Sequence, residues 1–242
     1  MIPLHDDNPT SIFPVFTILF IVICVLVYFW QFSLGAEGNH GAVISLGVIP
    51  AVLLNKVSLP TELFVIPAGL TVFTSMFLHG GFMHLAGNML FLWIFGNNVE
   101  DSMGHFRFII FYLLCGVAAV AGQTLENPDS QIPMIGASGA ISGVLGGYLL
   151  LYPHARVLVL IPLGFFSQLV RLPAGWVLGL WFGMQIVSSA LSNSEGGGVA
   201  WFAHIGGFIA GLALIPLFKY KNVKLFQTGH GSNKYSRKLR RR

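Results

Sequence analysis

The sequence predicts an all-α membrane protein, a bundle of six transmembrane helices. The first observation behind this is composition: 55% of the 242 residues are hydrophobic and 9% charged, and mean hydropathy is +0.75. Soluble domains carry about 25% charged residues, and a water-soluble core cannot hold this much apolar surface. The second is distribution, because stretches nearly free of charge recur along the chain, and roughly 20 apolar residues as a helix cross a hydrocarbon core of about 30 Å. The third is the placement of basic residues, which orients the bundle.

The expected spans are residues 13–32, 84–98, 106–121, 138–152, 174–191 and 200–217. The second and fourth are short, so each is expected to begin earlier, in Gly80-Gly81 or Ile135-Gly136. Residues 157–170 are apolar but broken by Pro162, Gly164 and Pro173, and are expected to form a connecting loop at the interface. The outer loop, 33–71, is too polar and too punctuated by Gly and Pro to span, and its apolar patches predict partial immersion. The chain thus divides into an N-terminal segment (1–11), a membrane domain (12–218) and a basic tail (219–242).

Lys and Arg accumulate on the cytoplasmic side of membranes. Of thirteen, nine lie from Lys219 onward; Arg107, Arg156 and Arg171 fall in joints on the same side of a six-span bundle, and only Lys56 falls outside. Both termini are therefore expected in the cytoplasm, in a bacterial inner membrane. The net charge of +4 reads as a topology signal, and a run such as residues 234–242 suits anionic lipid rather than nucleic acid. Residues 1–11 carry Asp6 and Asp7 but no Lys or Arg, so no cleavable signal is expected and the first span stays as an anchor. Cys24 and Cys115 lie inside spans without metal-ligand spacing; neither metal nor cofactor is expected. No repeat or inverted symmetry points to a repeat-built transporter.

Polar groups inside a membrane are costly and mark functional sites. Four stand out: His84, Asn88, Ser138 and His204. His84 and Asn88, four apart, share one helix face. Ser138 lies in G136-A-S138-G139 and His204 in A203-H204-I-G206-G207. Taken singly, each reads as tight packing, since Gly139 and Gly143, like Gly207 and Gly211, have the four-residue spacing of small residues that lets membrane helices approach. Depth shifts the balance. The second, fourth and sixth spans all enter from the outer side, and at about 1.5 Å per residue the four side chains share a layer roughly 5–10 Å down. One cavity able to hold water follows.

The residue types then specify chemistry. A serine hydroxyl needs an adjacent base to become a nucleophile, and His204, with an ordinary imidazole pKa of about 6.5, can take and return a proton near neutrality. Attack on a carbonyl creates an oxyanion needing fixed donors, which Asn88, His84 and the Ser138 backbone N–H can supply. No span contributes a carboxylate to this layer, so the unit is a dyad. Ser142, one turn deeper on the same face, is the rival nucleophile. His79, at the outer interface, reads as a loop-tying residue or a second catalytic imidazole.

These residues resemble the rhomboid intramembrane serine proteases. The matching elements are H79-G-G-F-M-H84-L-A-G-N88, G136-A-S138-G139 and A203-H204-I-G206-G207, in family order on spans two, four and six, with G96-N-N-V-E100-D-S-M-G104 similar to a structural GxxxExxxG element built on Glu100. The resemblance covers nearly the whole chain. It implies a six-helix rhomboid-like bundle, a Ser138–His204 dyad, an oxyanion site using His84 and Asn88, and single-span or polytopic membrane proteins as substrates. Two positions depart from common family patterns: residues 33–92 hold neither Trp nor Arg where many members carry a Trp-Arg pair in the first outer loop, and Ser142 stands where some place a Tyr stacked on the base. Ser142, or a water it holds, is therefore expected to orient His204.

A substrate helix must unwind to expose a scissile bond, so movable elements are expected around the site: residues 192–199, with Gly196-Gly197-Gly198, as a cap, and the fifth span. Two other function classes compete. A protease-dead relative would bind membrane proteins without cutting them, but such relatives usually lack the serine or the histidine. A proton-conducting transporter would need polar groups through both leaflets, and these occupy one.

Overall fold

The computed structural model describes residues 1–163, 166–191 and 199–227. The glycine-rich cap expected at 192–199 and the basic run at 234–242 fall, except for Val199, outside the described residues.

The chain is mostly helical. Among the described residues four helices are individually long and apolar enough to cross a bilayer: α1 (Val15–Ser33), α7 (His105–Glu126), α9 (Ala174–Leu191) and α10 (Trp201–Phe218). Between α1 and α7 the chain forms α2 (Gly35–Leu46), α3 (Pro50–Leu53), α4 (Ala68–Thr74), α5 (Phe82–Phe91) and α6 (Asn97–Met103), the last two fused through a π turn at Leu92–Gly96. Residues 61–77 and 82–103 form a further candidate span, bent by 80° at the break. The shorter apolar helix is α8 (Ser138–Leu151).

Helix α5 begins at Phe82, directly after Gly81, as its short apolar run predicts. The fourth span does not start early. Gly136 sits at φ +124°, outside the helical region, so helix α8 can begin only at Ser138.

The all-α expectation is corrected by a three-stranded antiparallel sheet in the order β1–β2–β3: β1 (Ile2–Asp6), β2 (Arg156–Leu163) and β3 (Phe166–Pro173). The stretch expected as a loop is a hairpin. Its alternation is the cause, because Ala155, Val157 and Val159 are buried while the residues between them are not. The prolines that argued for a loop are tolerated where they stand: Pro173 ends β3, and Pro162 lies beyond Leu160, the last residue that β1 pairs, where the ladder has no third strand.

Glycines set how closely the central helices approach. A Cβ on Gly207 or Gly211 of α10 would fall on the carbonyl oxygen of Gly139 or Gly143 of α8, and one on Gly139 would lie 2.6 Å from the Ala119 Cβ of α7. Helices α7, α8 and α10 therefore pack backbone against backbone, as small-residue faces do in lipid.

Two carboxylates, one of them buried, fix the start of α1. Glu100, 0% exposed, accepts from the Phe16 N–H (3.0 Å), the Thr17 N–H (2.8 Å) and the Thr17 hydroxyl (2.7 Å), and is paired with His105 Nδ1. Its neighbour Asp101 accepts from the Ser11 and Ile12 N–H groups. No side chain within α1 caps its first turn, so a remote helix supplies the acceptors that the free N–H groups require.

The sheet is tied to the bundle through Asp6, whose Oδ2 accepts from Asn98 Nδ2 (3.0 Å) and the Tyr148 hydroxyl (2.6 Å). Burial pushes the Asp6 carboxyl up to about 6, against the opposing pull of the Tyr148 hydrogen bond. A carboxyl raised on folding favours the folded state below its unfolded value, about 3.9, and loses that contribution as pH rises through its folded value. Asp6→Asn keeps an acceptor but never ionises. It is expected to exceed the wild type in stability by about 2–3 kcal/mol at pH 8, the gap closing toward pH 4; thermal melts in detergent across that range check this.

Candidate active site

Ser138 is the first residue of α8 and His204 lies one turn into α10. Ser138 Oγ and His204 Nε2 are 2.8 Å apart, inside hydrogen-bond reach for a nucleophile and its base. Both face a cavity of about 820 Å³ that is also lined by His84, Asn88 and Trp181, with Gln123, Asn127 and Ser130 as further polar lining and with Glu126, the last residue of α7, bringing a carboxylate to a layer where none was expected.

His84 stands over Gly136: a Cβ there would lie 2.7 Å from His84 Nε2, so both the positive φ and the close approach require glycine. The Gly80 N–H lies 3.4 Å from His84 Nδ1, and with Nδ1 as acceptor the proton of a neutral ring sits on Nε2. Asn88 is 8% exposed, and its Nδ2 has no hydrogen-bond partner among the described residues. A buried, unsatisfied amide donor lining the same cavity as a serine hydroxyl is an arrangement that a developing oxyanion would satisfy.

The backbone of His79 is tied to α1, and its ring Nδ1 lies 3.2 Å from the Phe77 carbonyl oxygen. Gln31 of α1 accepts from the His79 N–H (2.9 Å) and donates to its carbonyl oxygen (3.3 Å), while its Nε2 also reaches Asn39 (2.9 Å). The outer segment is anchored without a Trp-Arg pair. Val48 and Met134 exchange backbone hydrogen bonds of 3.0 and 2.7 Å, the Ala51 N–H donates to Ser130, Lys56 pairs with Asp129, and the Gly136 N–H donates to the Ser75 carbonyl. The loop is thus stitched to the segment that leads into Ser138.

The structure shows no direct hydrogen bond between Ser142 and His204. Ser142, fully buried, donates to the Ser138 carbonyl oxygen one turn back at 2.6 Å and is committed there. The partner of His204 Nδ1 is Gln185 of α9, at 2.7 Å. Trp181 and Trp201 flank the imidazole, with ring centroids 5.9 and 6.2 Å away. None of these three was singled out from sequence. A glutamine one turn after a tryptophan in an apolar span was the available signal for Gln185.

Among the described residues no group of three or more His, Cys, Asp or Glu could hold a metal ion.

Residues 68–221 match the family model of the rhomboid domain. The chain belongs to the rhomboid family. It is 31% identical over 198 residues to the rhomboid protease GluP of Bacillus subtilis, an alignment covering 82% of this chain and 34% of that protein. It is 29% identical over 153 residues to the mitochondrial rhomboid protein 1 of Saccharomyces cerevisiae (59% and 40%), and 30% identical over 159 residues to the chloroplastic rhomboid-like protein 11 of Arabidopsis thaliana (62% and 53%). The chain spans between a third and somewhat over half the length of these relatives. Rhomboid membership and the long apolar helices make it a multi-pass integral membrane protein.

Because Gly211 faces the Gly143 backbone, a methyl there must force α10 from α8. Gly211→Ala is expected to cost about 1–3 kcal/mol, read as a lowered melting temperature in detergent.

Proposed function

We propose that this rhomboid is an intramembrane serine endopeptidase that cleaves membrane-anchored proteins through a Ser138–His204 dyad. The observation that carries the reading is the 2.8 Å contact between Ser138 Oγ and His204 Nε2 in a cavity shared with the unpartnered amide of Asn88. The names of relatives such as rhomboid protease GluP point the same way.

In this reading residues 12–218 form the protease domain, with six crossings: α1, the run 82–103, and α7 to α10. Both termini are cytoplasmic in a bacterial inner membrane, and the dyad lies near the outer face. The excess of Lys and Arg beyond residue 218 supports the orientation.

A substrate helix unwinds locally and presents a peptide carbonyl above Ser138. His204 Nε2 takes the hydroxyl proton as Oγ bonds to the carbonyl carbon. Negative charge moves to the carbonyl oxygen, where Asn88 Nδ2, His84 Nε2–H and the free N–H at the start of α8 are the candidate donors. As the C–N bond breaks, the imidazolium returns its proton to the leaving amine. Water then attacks the acyl-enzyme with His204 again as base, regenerating Ser138 and releasing the second product. The polar residues lining the cavity give that water a route.

The test is cleavage of a single-span reporter in liposomes. Ser138→Ala and His204→Ala are expected to abolish turnover, and Asn88→Ala to lower kcat by roughly 10²–10³-fold with melting temperature retained. Cleavage persisting in Ser138→Ala would refute the assignment, and a folded wild type that binds the reporter without cutting it would point to a rhomboid-like binder.

A further inference from the structure

We propose that Gln185 is a positioning residue for the base, holding the His204 imidazole from α9 in the tautomer that carries its proton on Nδ1 and presents Nε2 to Ser138. This rests on the reading of Ser138 and His204 as nucleophile and base. Gln185 is the one buried polar residue of α9, 6% exposed, on a helix that otherwise buries Ala174, Val177 and Leu178. An amide buried in a membrane span is expensive unless both ends are bonded.

Both ends are bonded, and in one sense only. Gln185 Nε2 donates to the Trp181 carbonyl oxygen at 3.3 Å, and Oε1 faces His204 Nδ1 at 2.7 Å. Turning the amide over would set its oxygen against the Trp181 oxygen with no proton between them. Oε1 is therefore the acceptor and Nδ1 must donate. A neutral imidazole has one ring proton, so Nε2 is left with its lone pair, 2.8 Å from the Ser138 hydroxyl that must give up a proton.

No other described group has a hydrogen bond to Nδ1. Ser142 is bound to the Ser138 carbonyl, and the flanking Trp181 and Trp201 rings restrict the imidazole's tilt without offering an acceptor. Gln185 thus occupies the place that a carboxylate holds in a triad, with a dipole instead of a charge.

The experiment compares wild type, Gln185→Met and Gln185→Glu in the full chain. Methionine keeps the length and removes the acceptor; glutamate keeps the acceptor. With ¹⁵N-labelled histidine in micelles, and His204 signals identified by their loss in His204→Asn, the wild type is expected to carry its proton on Nδ1 and Gln185→Met to lose that bias. Fluorophosphonate labelling of Ser138 and kcat on the reporter are expected to fall about tenfold in Gln185→Met, with KM unchanged, and to recover in Gln185→Glu.

An Nε2-protonated His204 in the wild type, or labelling and kcat unchanged in Gln185→Met, overturns the proposal. So does a failure of Gln185→Glu to recover either at equal melting temperature. If Gln185→Met does not fold, the wild-type tautomer decides alone. A wild type that neither labels nor cleaves refutes the protease reading, while the tautomer measurement still decides the role of Gln185.

Discussion

The contact on which the rest of the molecule depends is the meeting of two backbones. Gly139 and Gly143 of α8 lie against Gly207 and Gly211 of α10 with no side chain between them. That separation sets how far Ser138, at the head of α8, stands from His204, one turn into α10, and the resulting 2.8 Å leaves little room for error. In lipid there is no hydrophobic gain from pressing two apolar helices together, so close backbone approach is the main source of their cohesion. The packing reading and the catalytic reading of these motifs are therefore two aspects of one arrangement: the glycines bring the helices to the distance at which a serine and an imidazole can share a proton.

Around that pair the other elements act as braces. Helix α1 is held by Glu100, whose carboxylate accepts from the first turn of a helix far away in sequence. The outer segment is stitched by backbone hydrogen bonds to residues 130–136, and so reaches the turn that precedes Ser138. Helix α9 is different. Many of its apolar side chains are exposed, among them Trp176 at 69% and Leu191 at 78%, while Gln185 ties it to His204. Displacing α9 by about 1 Å would stretch the 2.7 Å bond beyond useful length, so the position of the most lipid-facing helix near the site is felt at the imidazole.

Much of this was legible in the sequence because membrane constraints are strict. Apolar runs placed the six expected helices to within a few residues, though not α2 to α4 of the outer segment, and the four polar side chains that stand out on them line one cavity. What escaped did so for definite reasons. The hairpin was masked by Pro162 and Pro173, which weigh against a strand on local grounds and are harmless because the pairing with β1 stops at Leu160 of β2 and Pro173 ends β3. Ser142 looked like a partner for His204 by spacing, yet its hydroxyl has a nearer acceptor in the carbonyl four residues back. Gln185 was invisible because its importance comes from helix placement, and nothing in residues 174–191 states which neighbour that face meets.

The π turn at Leu92–Gly96 bears on how this span can vary in length. Upstream of it the helix turns Asn88 to the cavity; downstream it turns Glu100 to the start of α1. An ordinary α-helix advances about 100° per residue, and the wider turn shifts the phase between these two obligations. Losing one residue from this stretch would leave the span almost as long and as apolar, but one of the two side chains would point elsewhere. Insertions and deletions that a lipid-facing helix end could absorb would here be decided by angle rather than by reach.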